Sequence, residues 1–232
     1  MCLCQWSEPS YNGSGSSTGD KAEELKYWDM AWLEPVTLKN EHALLEPLSL
    51  DHHDGLCEAV SDGELWNLWY TSIPTPSGMK AEIERRLGLQ ENGTMLPFTV
   101  KRASTGKIVG MTTYMNVDRV NRRVEIGSTW YALSAQRSSL NTACKLLLLR
   151  HAFEAENCIA VEFRTHFFNQ QSRRAIERLG AKLDGILRSH SIGANCALRD
   201  TCVYSILPIE WPSVKLHLEH RNAGQTAPVL AG

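Results

Sequence analysis

No run in this 232-residue sequence approaches the ~18 consecutive apolar residues needed to span a bilayer, and the first apolar stretch is broken by Gln5, Ser7, Glu8 and Pro9. Neither a membrane anchor nor a secretory leader is expected. An excess of charge is missing too: 24 Lys and Arg face 26 Asp and Glu, a net charge of -2. That balance argues against nucleic acid or an anionic membrane as a partner. None of the seven cysteines (Cys2, Cys4, Cys57, Cys144, Cys158, Cys196, Cys202) belongs to a C-x-x-C pair, and several lie in apolar runs. They read as reduced thiols in a cytoplasmic protein. A metal-ligand pattern is also lacking: the neighbours His52 and His53 would diverge by ~100° on a helix, and His217-x-x-His220 has no further ligand nearby. No metal is expected.

What the chain does have is enough apolar material, 43%, for one core of roughly 170 to 200 residues. Residues 1–30 include the Ser/Gly-rich stretch Ser10 to Lys21, which cannot bury enough surface to offset its ordering entropy, and are expected to form a disordered tail. The segment Gly15 to Gly19 matches the G-x-S-x-G nucleophile elbow but lacks the strand and helix that the motif needs. Residues 31–212 are expected to form the domain, and 213–232 a helix end and flexible tail.

Within the domain the hydrophobic period switches between two and 3.6. Val36 to Leu48 suits a first strand, and Ser49 or Asp51 can cap a helix through Leu56, Cys57 and Val60. A second helix carries Met79, Ile83 and Leu87 on its inner face, with Glu82, Glu84, Arg85 and Arg86 outside. Pro97 to Val117 reads as a hairpin turning at Ser104-Thr105-Gly106, and Asn121 to Leu133 as another strand. A leucine-rich helix follows, for which Asn141 or Thr142 can serve as cap. Strand, helix and two closing strands complete a β-α-α-β-β-β-α-β-α-β-β order, an α+β protein with a mixed sheet.

Two strand-to-helix junctions carry the chemistry. Gln136-Arg137-Ser138-Ser139-Leu140-Asn141-Thr142 combines free N–H groups at a helix start with a cation and hydroxyl or amide donors, which suits a phosphate or pyrophosphate. The alternative is a plain cap on a core helix. Asn169 stands at the second junction, with Ser172 three residues on, where a cap is again the simple reading. Trp66, Trp69 and Tyr70 either pack in the core or line a substrate pocket.

The run Glu125-Ile126-Gly127, then Gln136-x-x-Ser139-x-Asn141, Arg164-Thr165 and Asn169-x-x-Ser172-Arg173-x-x-Ile176-x-x-Leu179-Gly180-Ala181 resembles the GNAT superfamily of N-acetyltransferases, most of all the branch containing RimJ and RimL. The likeness covers about Leu33 to Pro212. It implies a mixed, mostly antiparallel sheet with a splayed central strand pair, flanked by helices. It also implies acetyl-CoA as co-substrate and an amine acceptor, a small molecule or a protein N-terminus, for a monomer or homodimer. By the same resemblance Gln136 to Thr142 would cradle the pyrophosphate, and main-chain groups at Trp130 and Tyr131 and the side chain of Asn169 would bind the pantetheine arm. Arg173 belongs to a charged helix face that is either simply solvated or, by its place beside Asn169, within reach of a CoA phosphate.

The relatives' loop pattern, Q/R-x-x-G-x-G/A, is altered here, with Ser139 and Asn141 in place of the small residues. A non-catalytic module of the same fold, binding a ligand or partner, is the other reading. For catalysis the chemistry requires a proton acceptor for the amine and a proton donor for the leaving thiolate. Glu125 is the candidate base unless it only pairs with Arg122, Arg123 or another neighbour. Ser172 is the candidate acid, with Tyr131 and Tyr204 behind it.

Overall fold

A computed structural model describes residues 32–69, 71–193 and 196–224. The expected N-terminal tail, its G-x-S-x-G segment, Tyr70 and the last eight residues lie outside the described residues. Strands β1 (Leu38–Lys39) and β2 (Ala43–Pro47) are followed by helices α1 (His53–Ser61) and α2 (Met79–Glu91). Strands β3 (Leu96–Arg102), β4 (Ile108–Asp118) and β5 (Arg123–Tyr131) lead into α3 (Leu140–Arg150), which ends in a π-helical turn, His151–Ala155. Then come β6 (Ala160–His166), α4 (Gln170–Glu177), β7 (Lys182–Ile192), β8 (Leu198–Ile206) and α5 (Trp211–Gly224). The eight strands form one sheet in the order β1-β2-β3-β4-β5-β6-β8-β7. Every pairing is antiparallel except β5 with β6.

The expected first strand is a two-strand hairpin, because the Asn40 side chain turns the chain: its Oδ1 accepts from the N–H groups of His42 and Ala43 at 3.0 and 2.9 Å. Ser49 does cap, accepting from Asp51 N at 3.1 Å, but it caps a short 3₁₀ turn leading into α1. Where residues 213–232 are expected to hold a helix end and flexible tail, α5 runs from Trp211 to Gly224 and packs along α3, through Arg150 with Glu219 and Glu154 with Trp211 and Lys215.

The sheet separates two groups of helices. On one face α3 packs through Leu148, whose carbonyl accepts from the buried Tyr114 hydroxyl at 2.5 Å, while Ala143, Cys144, Leu147 and Leu149 are also buried. Each fully buried leucine contributes roughly 1.5–3 kcal/mol relative to exposure. On the other face lies α2, and here the sequence expectation is corrected, because Arg86 points inward and is only 2% exposed. It spans from Glu82, at 2.7 Å, to the Thr113 hydroxyl at 2.6 Å and the Ser128 carbonyl at 3.4 Å. Helical periodicity marks the inner face, and a charge on that face becomes tolerable only through partners supplied by distant strands.

Candidate active site

The parallel pair β5 and β6 is in register only over Arg123 to Glu125, which face Ala160 to Glu162. Beyond Glu125 the two strands separate, so β5 from Ile126 onward leaves one row of backbone N–H and C=O groups without a strand partner on that side. Within this stretch β5 also bulges: Met111 and Thr113 of β4 face Trp130 and Gly127, so three steps on β5 match two on β4. Ser128 in the bulge takes a left-handed φ of 46°, and its carbonyl is the one that Arg86 holds. Gly110 permits the close approach opposite the bulge, since a Cβ there would lie 2.1 Å from the Trp130 carbonyl oxygen.

The gap opens into a cleft of about 880 Å³. At its vertex sits Glu125, 6% exposed. Of the pairings open to it, it takes neighbours other than Arg122 and Arg123: Asn116 Nδ2 donates to it at 2.7 Å and Arg164 lies 3.5 Å away, while Arg123 pairs with Glu162. Burial nonetheless raises the Glu125 pKa above the ordinary carboxylate value, against the lowering effects of Asn116 and Arg164. Gly127 leaves the carboxylate its room, because a Cβ there would come within 2.9 Å of Glu125 Oε1.

The first junction differs in detail from expectation. Helix α3 starts at Leu140 with Ser139 as its N-cap and no side-chain cap from that residue, so Asn141 and Thr142 lie in the first turn. Ser138 does the local work, donating to the Ala135 carbonyl at 2.7 Å and accepting from Leu140 N at 3.3 Å. Leu140 is a core anchor, 2% exposed. Gln136 braces the loop by donating from Nε2 to the Tyr131 carbonyl at 3.0 Å. The loop turns through Arg137, which takes φ 56° where a glycine would be at ease. Among the described residues the backbone N–H groups of Asn141 and Thr142 have no hydrogen-bond partner, and both residues line the cleft, as do Gln136, Arg137 and Ser138. Two free N–H groups, a helix N-terminus and an arginine fit a pyrophosphate, and the unpaired edge of β5 at Trp130 and Tyr131 fits an extended amide-bearing arm.

At the second junction Asn169 is the N-cap of α4, its Oδ1 accepting from Ser172 N at 3.0 Å, and it also lines the cleft with Ser172. Arg173 does not join them. Its Nε donates to the Tyr204 hydroxyl at 3.0 Å and its guanidinium stacks 5.0 Å over the Phe167 ring, so it is committed to holding α4 against β8. Tyr204, also donating to Glu177 at 2.9 Å, is outside the cleft lining and is no candidate acid. Tyr131 lines the cleft, but its hydroxyl is buried against the Cys144 thiol and burial pushes its pKa well above the usual value.

Nothing in the sequence marks Lys145, which interrupts a leucine run as any solvent-facing lysine might. It is buried on the floor of the cleft, donating to Thr129 Oγ1 at 2.9 Å and Thr112 Oγ1 at 3.4 Å, and burial brings its pKa down to about 8. Trp69 stands 61% exposed with its ring edge-on to His166, at 5.1 Å between centroids. Arg199 and His190, from β8 and β7, complete the wall.

Residues 42–182 match the family model described as "Acetyltransferase (GNAT) domain". Over 110 residues the chain is 33% identical to the "Putative ribosomal N-acetyltransferase YdaF" of Bacillus subtilis, covering 47% of this chain and 59% of that one. A putative acetyltransferase structure from T. thermophilus superposes with a TM-score of 0.71 at 31% identity over 82% of this chain and 98% of that one. A GCN5-related N-acetyltransferase from Brucella melitensis gives 0.75 at 26% identity over 86% and 90%. The expected resemblance to the RimJ and RimL branch agrees with the ribosomal relative. With a splayed parallel pair, a bulged β5 and a helix N-terminus facing one cleft, the chain belongs to the GNAT family of acetyl-CoA-dependent N-acetyltransferases.

Proposed function

We propose that the cleft transfers the acetyl group of acetyl-CoA to a primary amine, a small molecule or a protein N-terminus. The observation that carries this reading is a buried carboxylate of raised pKa, Glu125, at the vertex of the same cleft that collects the free N–H groups of α3. Acetyl-CoA would supply an activated thioester. Asn141, Thr142 and Arg137 would hold its phosphates, the open edge of β5 and the Asn169 amide its pantetheine arm. Glu125 would accept the proton of the incoming amine, directly or through water, and the Ser172 hydroxyl would offer a proton to the departing thiolate. A carboxylate with a raised pKa is a better proton acceptor near neutral pH than an ordinary one.

The non-catalytic reading draws on Ser139 and Asn141 in the loop. Against it, the loop achieves its turn through Arg137 and keeps two N–H groups free. Free thiols at Cys57, Cys144, Cys158, Cys196 and Cys202 support a reducing, cytoplasmic location, and no described helix is long and apolar enough to cross a membrane. Purified protein given acetyl-CoA and a panel of amines and N-terminal peptides should release free thiol with at least one of them. Acetyl-CoA binding with no thiol release across the panel would favour the non-catalytic reading.

A further inference from the structure

The β7–β8 hairpin brings to the cleft a cation for which acetyl transfer itself has no use. Strand register fixes its side of the sheet. Thr201 faces His166, Val203 faces Arg164 and Ser205 faces Glu162, which in turn pairs with Glu125. Arg199, two residues before Thr201, therefore shares the Glu125 face. Helices α3 and α4 cover the other face, through Lys145 with Thr129 and Arg173 with Tyr204. The junction suited to CoA phosphates opens α3, so Arg199 stands on the side of the sheet from which an acceptor would approach Glu125.

Among the described residues the Arg199 guanidinium makes no ion pair, although its charge acts at longer range on Glu125. Nε donates to Thr201 Oγ1 at 3.3 Å, and no carboxylate of the described residues lies within 4.0 Å. Arg164 on the same face, by contrast, has Glu162 at 2.9 Å and Glu125 at 3.5 Å. Thr201 is 2% exposed and its hydroxyl also hydrogen bonds His190 Nδ1 at 3.1 Å, so one buried oxygen braces both side chains. Glu125 is the sole carboxylate among the described lining residues, which carry five arginines and Lys145. An acceptor with nothing but positive charge is attracted at one point and repelled elsewhere; an acceptor with an added anion turns the repulsion into a charge-assisted pair.

We propose that the acceptor is a primary amine that also carries a carboxylate or a phosphate, with Arg199 gripping that anion while the amine sits at Glu125. This rests on the acetyltransferase reading above. A guanidinium offers two parallel N–H groups to either anion, a geometry that a lysine cannot reproduce.

Two matched pairs test it: alanyl-glutamate amide against alanyl-glutamine amide, and phosphoethanolamine against ethanolamine. The first isolates a carboxylate and the second a phosphate, at nearly constant amine chemistry. Thiol release gives kcat/KM for each, and calorimetry without acetyl-CoA gives each amine's own Kd. In at least one pair the anionic member should be favoured roughly 10-fold or more, chiefly through KM. Arg199→Gln should bring that ratio close to one, and Arg199→Lys should retain part of it. Equal constants within both pairs, or a preference that survives Arg199→Gln, overturns the proposal while leaving acetyl transfer intact. Should acetyl-CoA bind with no turnover of any member, the Kd ratios decide in the same way. If acetyl-CoA does not bind at all, the acetyltransferase reading fails and takes this inference with it.

Discussion

Glu125 is held by Asn116 and Arg164 yet still titrates above an ordinary carboxyl, because burial outweighs both partners. A carboxyl whose pKa rises on folding stabilises the fold while protonated, below its unfolded value, and loses that contribution as pH climbs through the raised native value. Ionised Glu125 at pH 7 is therefore a cost to the fold, as a proton acceptor in a dry cleft should be. Glu125→Gln should lower kcat about 100-fold while raising Tm, read by steady-state kinetics and thermal unfolding at pH 7. A fall in both would make Glu125 a structural ion-pair member. The acid limb of kcat/KM should likewise lie above the ordinary carboxylate value of 4.5 and vanish in the variant.

Lys145 has the opposite sign. A lysine whose pKa drops on folding contributes fully above its unfolded value of 10.5 and loses that contribution as pH falls through about 8. Across that window the loss is on the order of 3 kcal/mol. Lys145→Met should thus exceed wild type in unfolding free energy at pH 7, with the advantage shrinking towards pH 10. A difference that stays constant with pH would show that the ammonium is not desolvated.

At the scale of elements, the bulge in β5 depends on α2. Arg86 ties the Ser128 carbonyl and Thr113 to Glu82, and Arg86→Met should cost about 2 to 3 kcal/mol, less than a fully orphaned buried charge because Arg85 remains on Glu82. Chemical denaturation measures this; a neutral effect would mean that the bulge is held by strand pairing alone. Asn169 serves α4 and the cleft together. Asn169→Ala should remove about 1 kcal/mol of capping and raise KM for acetyl-CoA, whereas Asn169→Ser should recover the cap but not KM.

These elements also mark what the sequence could tell. The order of strands and helices, the buried α3 and the two junctions follow from periodicity and from polar residues at helix starts. Arg86 and Lys145 did not, since inward charges look like solvent-facing ones until Thr113, Thr112 and Thr129 arrive from elsewhere in the chain. Arg173 escapes the sequence for a related reason: spacing puts it beside Asn169, but Tyr204 of β8 and the Phe167 ring hold it. Arg199 lay in a strand read only as a closing one, and cross-strand register alone gives it a face.

Across the whole molecule, one cleft draws on both sides of the sheet: Lys145 below, Glu125 and Arg199 above, and Arg221 of α5 at its edge. A ligand bridging so many elements should stabilise them as a unit. At a concentration 100 times Kd, acetyl-CoA should add about 2.7 kcal/mol, a Tm rise of roughly 5 to 10 °C for a domain of this size. The most direct test of the central claim is a calorimetric titration of acetyl-CoA into the intact protein. A saturable one-to-one isotherm with Kd well below 1 mM, weakened in Asn169→Ala, is the expected result; no saturable heat up to millimolar acetyl-CoA would contradict it.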